Sequence, residues 1–268
     1  MILQATGPIP PVIEQGICTC AGAMELLGLI LLLASAAAYQ DSVDRIINGY
    51  PCVLNSRPWQ AYVTGIVSCG GTLVSPSWVL TAAHCNVGEL TVVLGKYRLR
   101  QAGAMEQKFN VTRVVPHPCY NKKTLDNDIM LLQLSGPVAR SKSVWPVTLP
   151  RSCPNPGESC IVSGWGTTRS PGVRFPTVLH CAEIQILPNR SCHESYPQLF
   201  TSNMICAGMP GRRIDSCQGD SGGPLTCDDV LQGIVSWGPM VCGQPQHPGV
   251  YTRVCNYIPW IRSIIGNN

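Results

Sequence analysis

The sequence predicts an all-β fold, and three observations support this prediction. The chain contains 26 Gly and 23 Pro among 268 residues, and so many turn-forming residues favour short strands over long helices. Short runs of β-branched and large apolar residues alternate with Gly, Pro, Asn and Ser, which is typical of a sandwich or barrel. Apolar residues at helical spacing occur at the end of the chain, over residues 257–264. The predicted strands are 61–67, 72–74, 78–81, 90–94, 129–134, 160–163 and 232–237.

The composition excludes several other classes of protein. A length of 268 residues provides a sizeable core for one large domain or two small ones. Charged residues make up 13% of the chain, against roughly 25% in an average domain, which excludes a disordered chain and a coiled coil. Fifteen cysteines without a Cys-x-x-Cys cluster indicate an oxidising compartment rather than a zinc site.

The first 38 residues are predicted to be a leader that contains a signal peptide. The apolar stretch 26–38 suits the hydrophobic region of such a peptide and ends in small residues, and Met24 before it is the predicted start. The stretch is too short to span a bilayer, which needs about 20 residues; a buried or membrane-embedded segment is the alternative. We therefore expect a secreted, extracellular protein that is not in a membrane, while residues 1–23 carry no motif.

Beyond residue 45 the chain is basic, with 18 Lys and Arg against 11 Asp and Glu. One stretch of this charge indicates either a solvated basic face or a surface for a sulfated glycan. Nucleic acid is not expected as a partner. The motif Asn-x-Ser/Thr at Asn110 and Asn189 predicts N-glycosylation of a secreted chain. The basic residues of the stretch are Lys96, Arg98, Arg100, Lys108 and Arg113.

Three short motifs carry the residues of a candidate hydrolytic site. A serine hydroxyl is a poor nucleophile unless a base removes its proton, a further group orients that base, and N–H donors stabilise the oxyanion. The sequence 219–224 places Ser221 among glycines, which allow a tight turn. His84 follows a predicted strand, and Asp128 directly precedes another. His84 or Asp128 alone would more often be structural, so the inference depends on their combination with Ser221.

Together these motifs resemble those of the trypsin-like (chymotrypsin-fold) serine proteases, and the resemblance covers nearly all of residues 46–268. It is greatest to the tissue kallikrein-related peptidases, with the digestive trypsins as the near alternative. The resemblance implies two six-stranded antiparallel β-barrels with the site between them, followed by a short C-terminal helix. It implies that Ser221 attacks the carbonyl, His84 transfers the proton and Asp128 holds the imidazole tautomer. The N–H groups of Gly219 and Ser221 would form the oxyanion hole.

The resemblance also implies the substrate class. Asp215 lies six residues before Ser221, where trypsin-like enzymes place the acid at the base of the primary specificity pocket. A buried carboxylate without a partner is unfavourable, so this position implies cleavage after Arg or Lys. The pocket residues implied in addition to Asp215 are Ser216, Ser236, Trp237, Gly238 and Gly249.

The sequence at residues 45–49 resembles the activation junction of zymogens in this family. Cleavage after Arg45 would remove a propeptide at 39–45 and leave a mature protease domain at 46–268. By the resemblance, the new ammonium of Ile46 would pair with the Asp220 carboxylate beside the nucleophile and order the oxyanion hole.

Thirteen cysteines follow Arg45, and the resemblance pairs twelve of them. Cys119 is left over; we expect it to be a partly exposed free thiol, with intermolecular pairing and burial as the alternatives. The implied pairs are Cys52–Cys181, Cys69–Cys85, Cys153–Cys255, Cys160–Cys227, Cys192–Cys206 and Cys217–Cys242.

The expected partners are protein or peptide substrates with Arg or Lys at the cleaved bond, together with an activating protease and protein inhibitors. No cofactor or metal is expected, because Lys96 stands after Leu94-Gly95, where calcium-binding trypsins carry a carboxylate. The protein is predicted to be a monomer. The alternative from another functional class is a protease-like binding protein without catalysis, but such a protein would be expected to replace His84, Asp128 or Ser221, and all three are present.

Overall fold

The computed structural model describes residues 46–266. Within this range the chain forms two closed antiparallel β-barrels of six strands each and a short C-terminal helix, so the predicted fold class is confirmed. The predicted leader, the start at Met24 and the propeptide 39–45 lie outside the described residues.

The first barrel is formed by the strands β2 to β7, which follow one another around it in the order β2-β3-β4-β7-β6-β5. A 3-10 turn, Ala83–Cys85, follows the third of these strands. Their bounds are β2 (Gln60–Thr64), β3 (Ser68–Ser75), β4 (Trp78–Thr81), β5 (Thr91–Leu94), β6 (Gln107–Pro116) and β7 (Met130–Leu134).

The second barrel is formed by β8 to β13 in the order β9-β10-β13-β12-β11-β8, and pairing of β8 with β9 closes it. The two-residue strand β1 (Tyr50–Pro51) adds to its β9 edge. Two α-helices follow strands of this barrel, α1 (Asn189–Ser195) after β9 and α2 (Ile258–Ile265) after β13. The strand bounds are β8 (Ser159–Gly164), β9 (His180–Ile186), β10 (Met204–Gly208), β11 (Pro224–Cys227), β12 (Val230–Trp237) and β13 (Gly249–Arg253).

All seven predicted strands overlap observed ones, but the prediction that the first extends to residue 67 is wrong. Strand β2 ends at Thr64, and the N–H of Gly65 donates to the carbonyl of Val67 at 3.1 Å in the turn to β3. Ile66 at the tip of this turn is 78% exposed. β-branched residues such as Ile66 favour strands, so the sequence predicts a strand here, although the backbone reverses direction at this point.

Five strands of the barrels are not predicted from the sequence, namely β6, β9, β10, β11 and β13. In β6 half-buried and exposed residues alternate over ten positions, so no apolar run marks it. In β9 the polar residues His180, Glu183 and Gln185 interrupt the apolar ones. The remaining three contain Gly, Pro or Ala, which are depleted in strands. These strands exist because barrel closure supplies their hydrogen-bond partners.

The predicted C-terminal helix is confirmed and packs on the first barrel, although it follows the last strand of the second. Ile261 of α2 is fully buried in the apolar cluster that contains Leu80 and Leu132 of the first barrel. Burying such a side chain contributes about 1.5–3 kcal/mol. The helix therefore joins the two barrels.

Six disulfides link the described residues, and they are the six pairs implied by the family resemblance. Cys69–Cys85 lies within the first barrel and fixes the turn that follows β4, while Cys217–Cys242 joins two loops of the second barrel. The other four are Cys52–Cys181, Cys153–Cys255, Cys160–Cys227 and Cys192–Cys206.

Over residues 46–266, neither helix has the length and apolar character needed to cross a membrane.

Candidate active site

His84 and Asp128 are brought together by the pairing of β4 with β7. Thr81, at the end of β4, lies opposite Met130, at the start of β7. His84 follows Thr81 in the 3-10 turn, and Asp128 precedes Met130 by two residues, so the two side chains emerge at the same edge of the first barrel. Asp128 is fully buried, whereas the His84 side chain is 26% exposed.

The Asp128 carboxylate holds His84 at two points. His84 Nδ1 lies 2.7 Å from Oδ2, and the His84 backbone N–H donates to Oδ1 at 2.9 Å. Because a carboxylate only accepts hydrogen bonds, the proton stays on Nδ1 and Nε2 is left as an acceptor. Ser236 Oγ donates to Asp128 Oδ2 at 2.5 Å, and Thr252 Oγ1 donates to the Asp128 carbonyl at 2.7 Å.

Ser221 lies on a turn of the second barrel that is fixed against the first. Its carbonyl accepts the N–H of Gly70 at 2.7 Å, and the Sγ of Cys85, the neighbour of His84, lies 3.8 Å from the same oxygen. Gly222 has φ +79°, and a Cβ at this position would clash with Thr81 Oγ1 and the Gly70 carbonyl oxygen. The glycine after the nucleophile thus permits the close approach of the two barrels.

The same turn presents free N–H donors. Between residues 46 and 266, the N–H groups of Gly219 and Ser221 have no acceptor, whereas that of Asp220 donates to the carbonyl of Cys217 at 2.9 Å and that of Gly222 to the carbonyl of Val235 at 2.8 Å. Gly219 has φ +97°, a conformation that favours glycine. Two unpaired donors therefore flank the buried Asp220 in a half-buried turn, as an anion site requires.

A cavity of about 220 Å³ opens beside Ser221. It contains the six pocket residues expected from the sequence, and the Cys217–Cys242 disulfide forms part of its wall. The ring of Trp237 is supported by Tyr196 at a centroid distance of 4.8 Å. The expected residues are Asp215, Ser216, Ser236, Trp237, Gly238 and Gly249.

Asp215 is the buried charge of this cavity. It is 3% exposed; Oδ2 accepts the N–H of Gly243 at 3.1 Å, while Oδ1 has no hydrogen-bond partner among the described residues. Burial raises the pKa of Asp215 to about 7, although backbone hydrogen bonds from Gly243 and Ser216 oppose this rise and the nearby Asp220 adds to it. The cavity therefore favours a cationic ligand.

Asp220 is a second buried carboxylate, fully enclosed behind the Ser221 turn. Its oxygens accept the N–H groups of Gly166 at 2.7 Å and Cys217 at 3.0 Å. Burial raises the pKa of Asp220 to about 6, against the effect of these two bonds. Within residues 46–266, no Lys, Arg or His side chain forms an ion pair with it.

The start of the described chain lies in the same region. Ile46 is fully buried in the apolar core of the second barrel, and Ile47 packs against Cys217 and Cys242. Ile47 also pairs with Asp215 in a single antiparallel backbone bridge. The segment that begins at Ile46 thus contacts residues that line the specificity cavity, while Arg45 lies outside the described residues.

A larger cavity, of about 480 Å³, borders Asp215 from the other side, between α1 and the loops 208–214 and 243–248. His84, Asp128 and Ser221 do not line it, so it is separate from the hydrolytic site. No group of three His, Cys, Asp or Glu side chains within the described range is arranged to hold a metal ion.

The remaining expected features lie at the surface. Asn110 and Asn189 are exposed, and Asn189 Oδ1 accepts a hydrogen bond from Arg253 at 2.9 Å. Cys119 is an exposed free thiol. Lys96 is not part of an exposed basic face, because its Nζ pairs with Glu106 at 3.1 Å and its side chain is only 9% exposed. The other basic residues of the stretch, Arg98, Arg100, Lys108 and Arg113, are exposed.

Sequence reasoning misses several residues that position the site. Ser236 is expected as a pocket wall but also donates to Asp128, and Thr252 and Gly166 have no motif that marks them. Gly243, which donates to Asp215, is likewise unmarked. These contacts join residues at least 28 positions apart in the chain, so no local spacing reports them.

Comparisons with known proteins agree with this geometry. The sequence profile of the Trypsin family matches residues 46–261. The chain is 48% identical to human kallikrein-15 over 255 residues, covering 91% of this chain and 99% of that protein. It is 47% identical to canine anionic trypsin over 244 residues, covering 91% and 98% respectively.

Solved structures give the same result. Neuropsin, a serine protease expressed in the limbic system of mouse brain, is similar with a TM-score of 0.78 at 44% identity, covering 81% of this chain and 98% of neuropsin. Fold and sequence agree, and the chain therefore belongs to the trypsin family of serine endopeptidases.

Proposed function

We propose that this chain is the precursor of a secreted serine endopeptidase that hydrolyses peptide bonds after Arg or Lys. The observation that carries the catalytic part is the hydrogen-bonded pair of Asp128 and His84 in the first barrel, with the Ser221 turn of the second barrel fixed beside it. A protease-like binding protein without catalysis is not favoured, because all three side chains are present in this arrangement.

In the proposed reaction His84 Nε2 takes the proton of Ser221 Oγ as this oxygen attacks the substrate carbonyl carbon. Asp128 stabilises the imidazolium that forms and keeps the ring in the required tautomer. The departing amine receives the proton from His84, which leaves an ester between Ser221 and the acyl part of the substrate. Water then attacks this ester with His84 again acting as base, and Ser221 is released.

The oxyanion of both tetrahedral intermediates would be stabilised by the N–H groups of Gly219 and Ser221. Two features support this role: both donors lack an acceptor, while the N–H of the intervening Asp220 is used within the turn. Removal of one such donor by mutation typically raises the activation free energy by about 3–4 kcal/mol.

Specificity for Arg and Lys is supported by the position of Asp215. The Oδ1 atom of this buried carboxylate lacks a partner, and the cavity it closes also contains Ser221. A guanidinium or ammonium group at the end of a long side chain would supply the missing partner, whereas an apolar side chain would leave the charge buried and unpaired. Gly238 and Gly249 in the wall leave room for the aliphatic stem.

Activation by cleavage after Arg45 is supported by the environment of Asp220. Cleavage would convert the peptide nitrogen of Ile46 into an ammonium, the cation that the buried carboxylate lacks. Ile46 is already buried, and its neighbour Ile47 packs against Cys217, whose N–H binds Asp220. Pairing would fix the turn that carries Ser221 and Gly219.

This activation step is tested with the precursor. After trypsin treatment the wild-type precursor should cleave an arginyl peptide amide, and Arg45→Gln should remain inactive because trypsin does not cut after Gln. Arg45→Lys is the matched control, since trypsin cuts after Lys, and it should be activated. Full activity of Arg45→Gln under these conditions would refute the proposed switch.

Secretion, N-glycosylation and the partners belong to the same proposal. Six disulfides require an oxidising compartment to form and persist, and Asn110 and Asn189 are exposed at the surface. We expect a monomer that meets protein substrates, an activating protease and protein inhibitors outside the cell. Treatment of the protein from culture medium with an N-glycosidase should lower its mass, and Asn110→Gln and Asn189→Gln assign the sites.

The central experiment profiles the cleaved, purified enzyme against a peptide library and labels it with a fluorophosphonate. We expect cleavage after Arg and Lys and a covalent adduct on Ser221, with Ser221→Ala as the unlabelled control. A correctly cleaved enzyme that is inert to the label would favour the non-catalytic alternative. Labelling combined with cleavage after apolar residues would retain the mechanism and reject the role of Asp215.

A further inference from the structure

An apolar patch lies on the side of the first barrel, outside the cavity that contains Ser221. Its four large side chains are all at least half exposed: Val53 at 75%, Leu54 at 59%, Met105 at 54% and Trp145 at 51%. None of them lines the specificity cavity. We call these four residues the lateral patch. Exposed apolar patches on a soluble protein mark interaction sites.

The four side chains come from three loops that meet at one point. Val53 and Leu54 lie beside Gly95 and Ser143 in a small surface depression. Gly95 in turn lies against the backbone of Met105 and the side chain of Val144, the residue before Trp145. The three loops that carry the lateral patch therefore come together around Gly95.

The loops beneath the lateral patch are held rigidly. Tyr97 Oη donates to the carbonyl of Cys52 at 2.9 Å, and the Cys52–Cys181 disulfide fixes the first loop. The Lys96–Glu106 ion pair closes the second loop with both side chains largely buried. A surface that is already ordered loses little conformational entropy on binding, which favours its use as a docking site.

The rim of the patch is positively charged. The segments 52–59, 95–107 and 139–147 contain six basic residues and a single acid, Glu106, which pairs with Lys96. Arg57 pairs with Asp229. Arg140 stacks on the Trp145 ring at 4.9 Å from its centroid. The basic residues that have no acidic partner in the described part of the chain are Arg98, Arg100, Arg140 and Lys142.

We propose that the lateral patch is a docking surface for an acidic segment with large apolar side chains, carried by a protein substrate away from its cleaved bond. Trp, Met and Arg are enriched in protein interfaces, and buried Trp and Arg dominate their binding energy. The unpaired basic rim selects acidic partners and speeds association. A sulfated glycan would satisfy the charge but has no large apolar groups to cover Trp145 and its neighbours, so the patch favours a protein.

The test compares two substrates of the activated enzyme. One is a short arginyl peptide amide, and the other is the same peptide joined by a flexible linker to a 12-residue tail in which Glu alternates with Leu and Phe. We expect the tail to lower KM by roughly tenfold in the wild type. In Trp145→Ala/Met105→Ala and in Arg140→Glu/Lys142→Glu this advantage should be lost, with kcat/KM for the short peptide unchanged.

Matched controls are Val114→Ala, an exposed apolar residue elsewhere on the first barrel, and Arg262→Glu on α2; both should keep the advantage of the tail. Fluorescence anisotropy measures direct binding of a labelled tail to the Ser221→Ala enzyme and so separates docking from catalysis. If the activated wild type proved inactive, the proposed chemistry would be refuted, but docking could still be tested in this way. The docking proposal is overturned if the tail gives no advantage in the wild type. It is also overturned if an all-Glu tail or a heparin octasaccharide binds as tightly as the apolar-acidic tail and if Trp145→Ala does not weaken this binding. That result would identify a polyanion site instead.

Discussion

The two barrels treat buried charge in opposite ways. In the first barrel the ionisable groups removed from water are paired with one another: Asp128 with His84, and Lys96 with Glu106. In the second barrel Asp215 and Asp220 are buried with only backbone N–H donors, and burial raises the pKa of both. Within residues 46–266, the buried ionisable groups of the first barrel thus have charged partners, whereas the two buried carboxylates of the second barrel have no cationic side chain beside them.

This difference is what the proposed activation switch requires. A carboxylate that accepts two backbone N–H bonds is kept in place, but its charge is compensated only in part. A substrate side chain at Asp215 and a new N-terminus at Asp220 would each complete the compensation. Under the proposed function, the second barrel would therefore be the one that responds to substrate and to cleavage, and the first barrel would hold the catalytic base in place.

The largest expected effect breaks the pair in the first barrel. His84→Ala should lower kcat by about 10⁵- to 10⁶-fold, because the base and its orienting carboxylate act as a unit with the nucleophile. Steady-state hydrolysis of an arginyl amide measures this, and thermal unfolding checks that the variant is folded. A loss of less than a hundredfold would mean that another group serves as base.

The second largest effect concerns the unpaired carboxylate of the cavity. Asp215→Ser should lower kcat/KM for arginyl substrates by roughly 10²- to 10³-fold, since the substrate cation would lose its buried partner. Glu194→Gln, an exposed acid on the far side of Asp215, is the matched control and should keep the wild-type value. Retention of the arginine preference by Asp215→Ser would contradict the assignment.

A third prediction tests the pairing in the first barrel by stability. Lys96→Met leaves the buried Glu106 carboxylate with the N–H of Gly103 but without its cation, and should lower the free energy of unfolding by about 2–4 kcal/mol. The double variant Lys96→Met/Glu106→Gln should recover most of this loss. Urea unfolding in the Ser221→Ala background measures both. Millimolar calcium should leave wild-type stability unchanged, because the Lys96 ammonium already neutralises the carboxylate.

The smallest expected effect is a pH dependence from the second barrel. The pKa of Asp215 is about 7 in the folded protein, against an ordinary value of 3.8. Between these two pH values Asp215 is therefore protonated in the folded state and ionised in the unfolded state. Its contribution therefore becomes less favourable as pH rises from about 4 to 7. The test compares the free energies of unfolding of Ser221→Ala and Ser221→Ala/Asp215→Asn. The double variant should become more stable relative to Ser221→Ala by on the order of 2 kcal/mol as pH rises from 5 to 8. An identical difference in unfolding free energy at both pH values would show that burial does not disfavour the Asp215 charge.

The sequence alone was sufficient for the class of the fold and for the three motifs. Turn-forming residues and short apolar runs predict strands because β-structure has a local period, and the glycines around Ser221 mark a turn for a local steric reason. Strand β6 was not predicted because its side chains are half-buried or exposed, and the buried strands β10, β11 and β13 were not predicted because they are only four or five residues long and contain Gly or Pro. Their position depends on neighbouring strands, to which a local pattern does not refer.

What the sequence determined by itself is which residue types are present: a serine among glycines, a histidine beside a cysteine, an aspartate before an apolar strand, and cysteines enough for six bridges. What only the tertiary structure decided is which charges are paired. Ser236 donates to Asp128 across 108 positions of the chain, while the donors to Asp220 within residues 46–266 are backbone N–H groups. The physical reason is that burial and pairing are set by residues distant in sequence, and the free energy of a buried charge depends on those neighbours rather than on the residue itself.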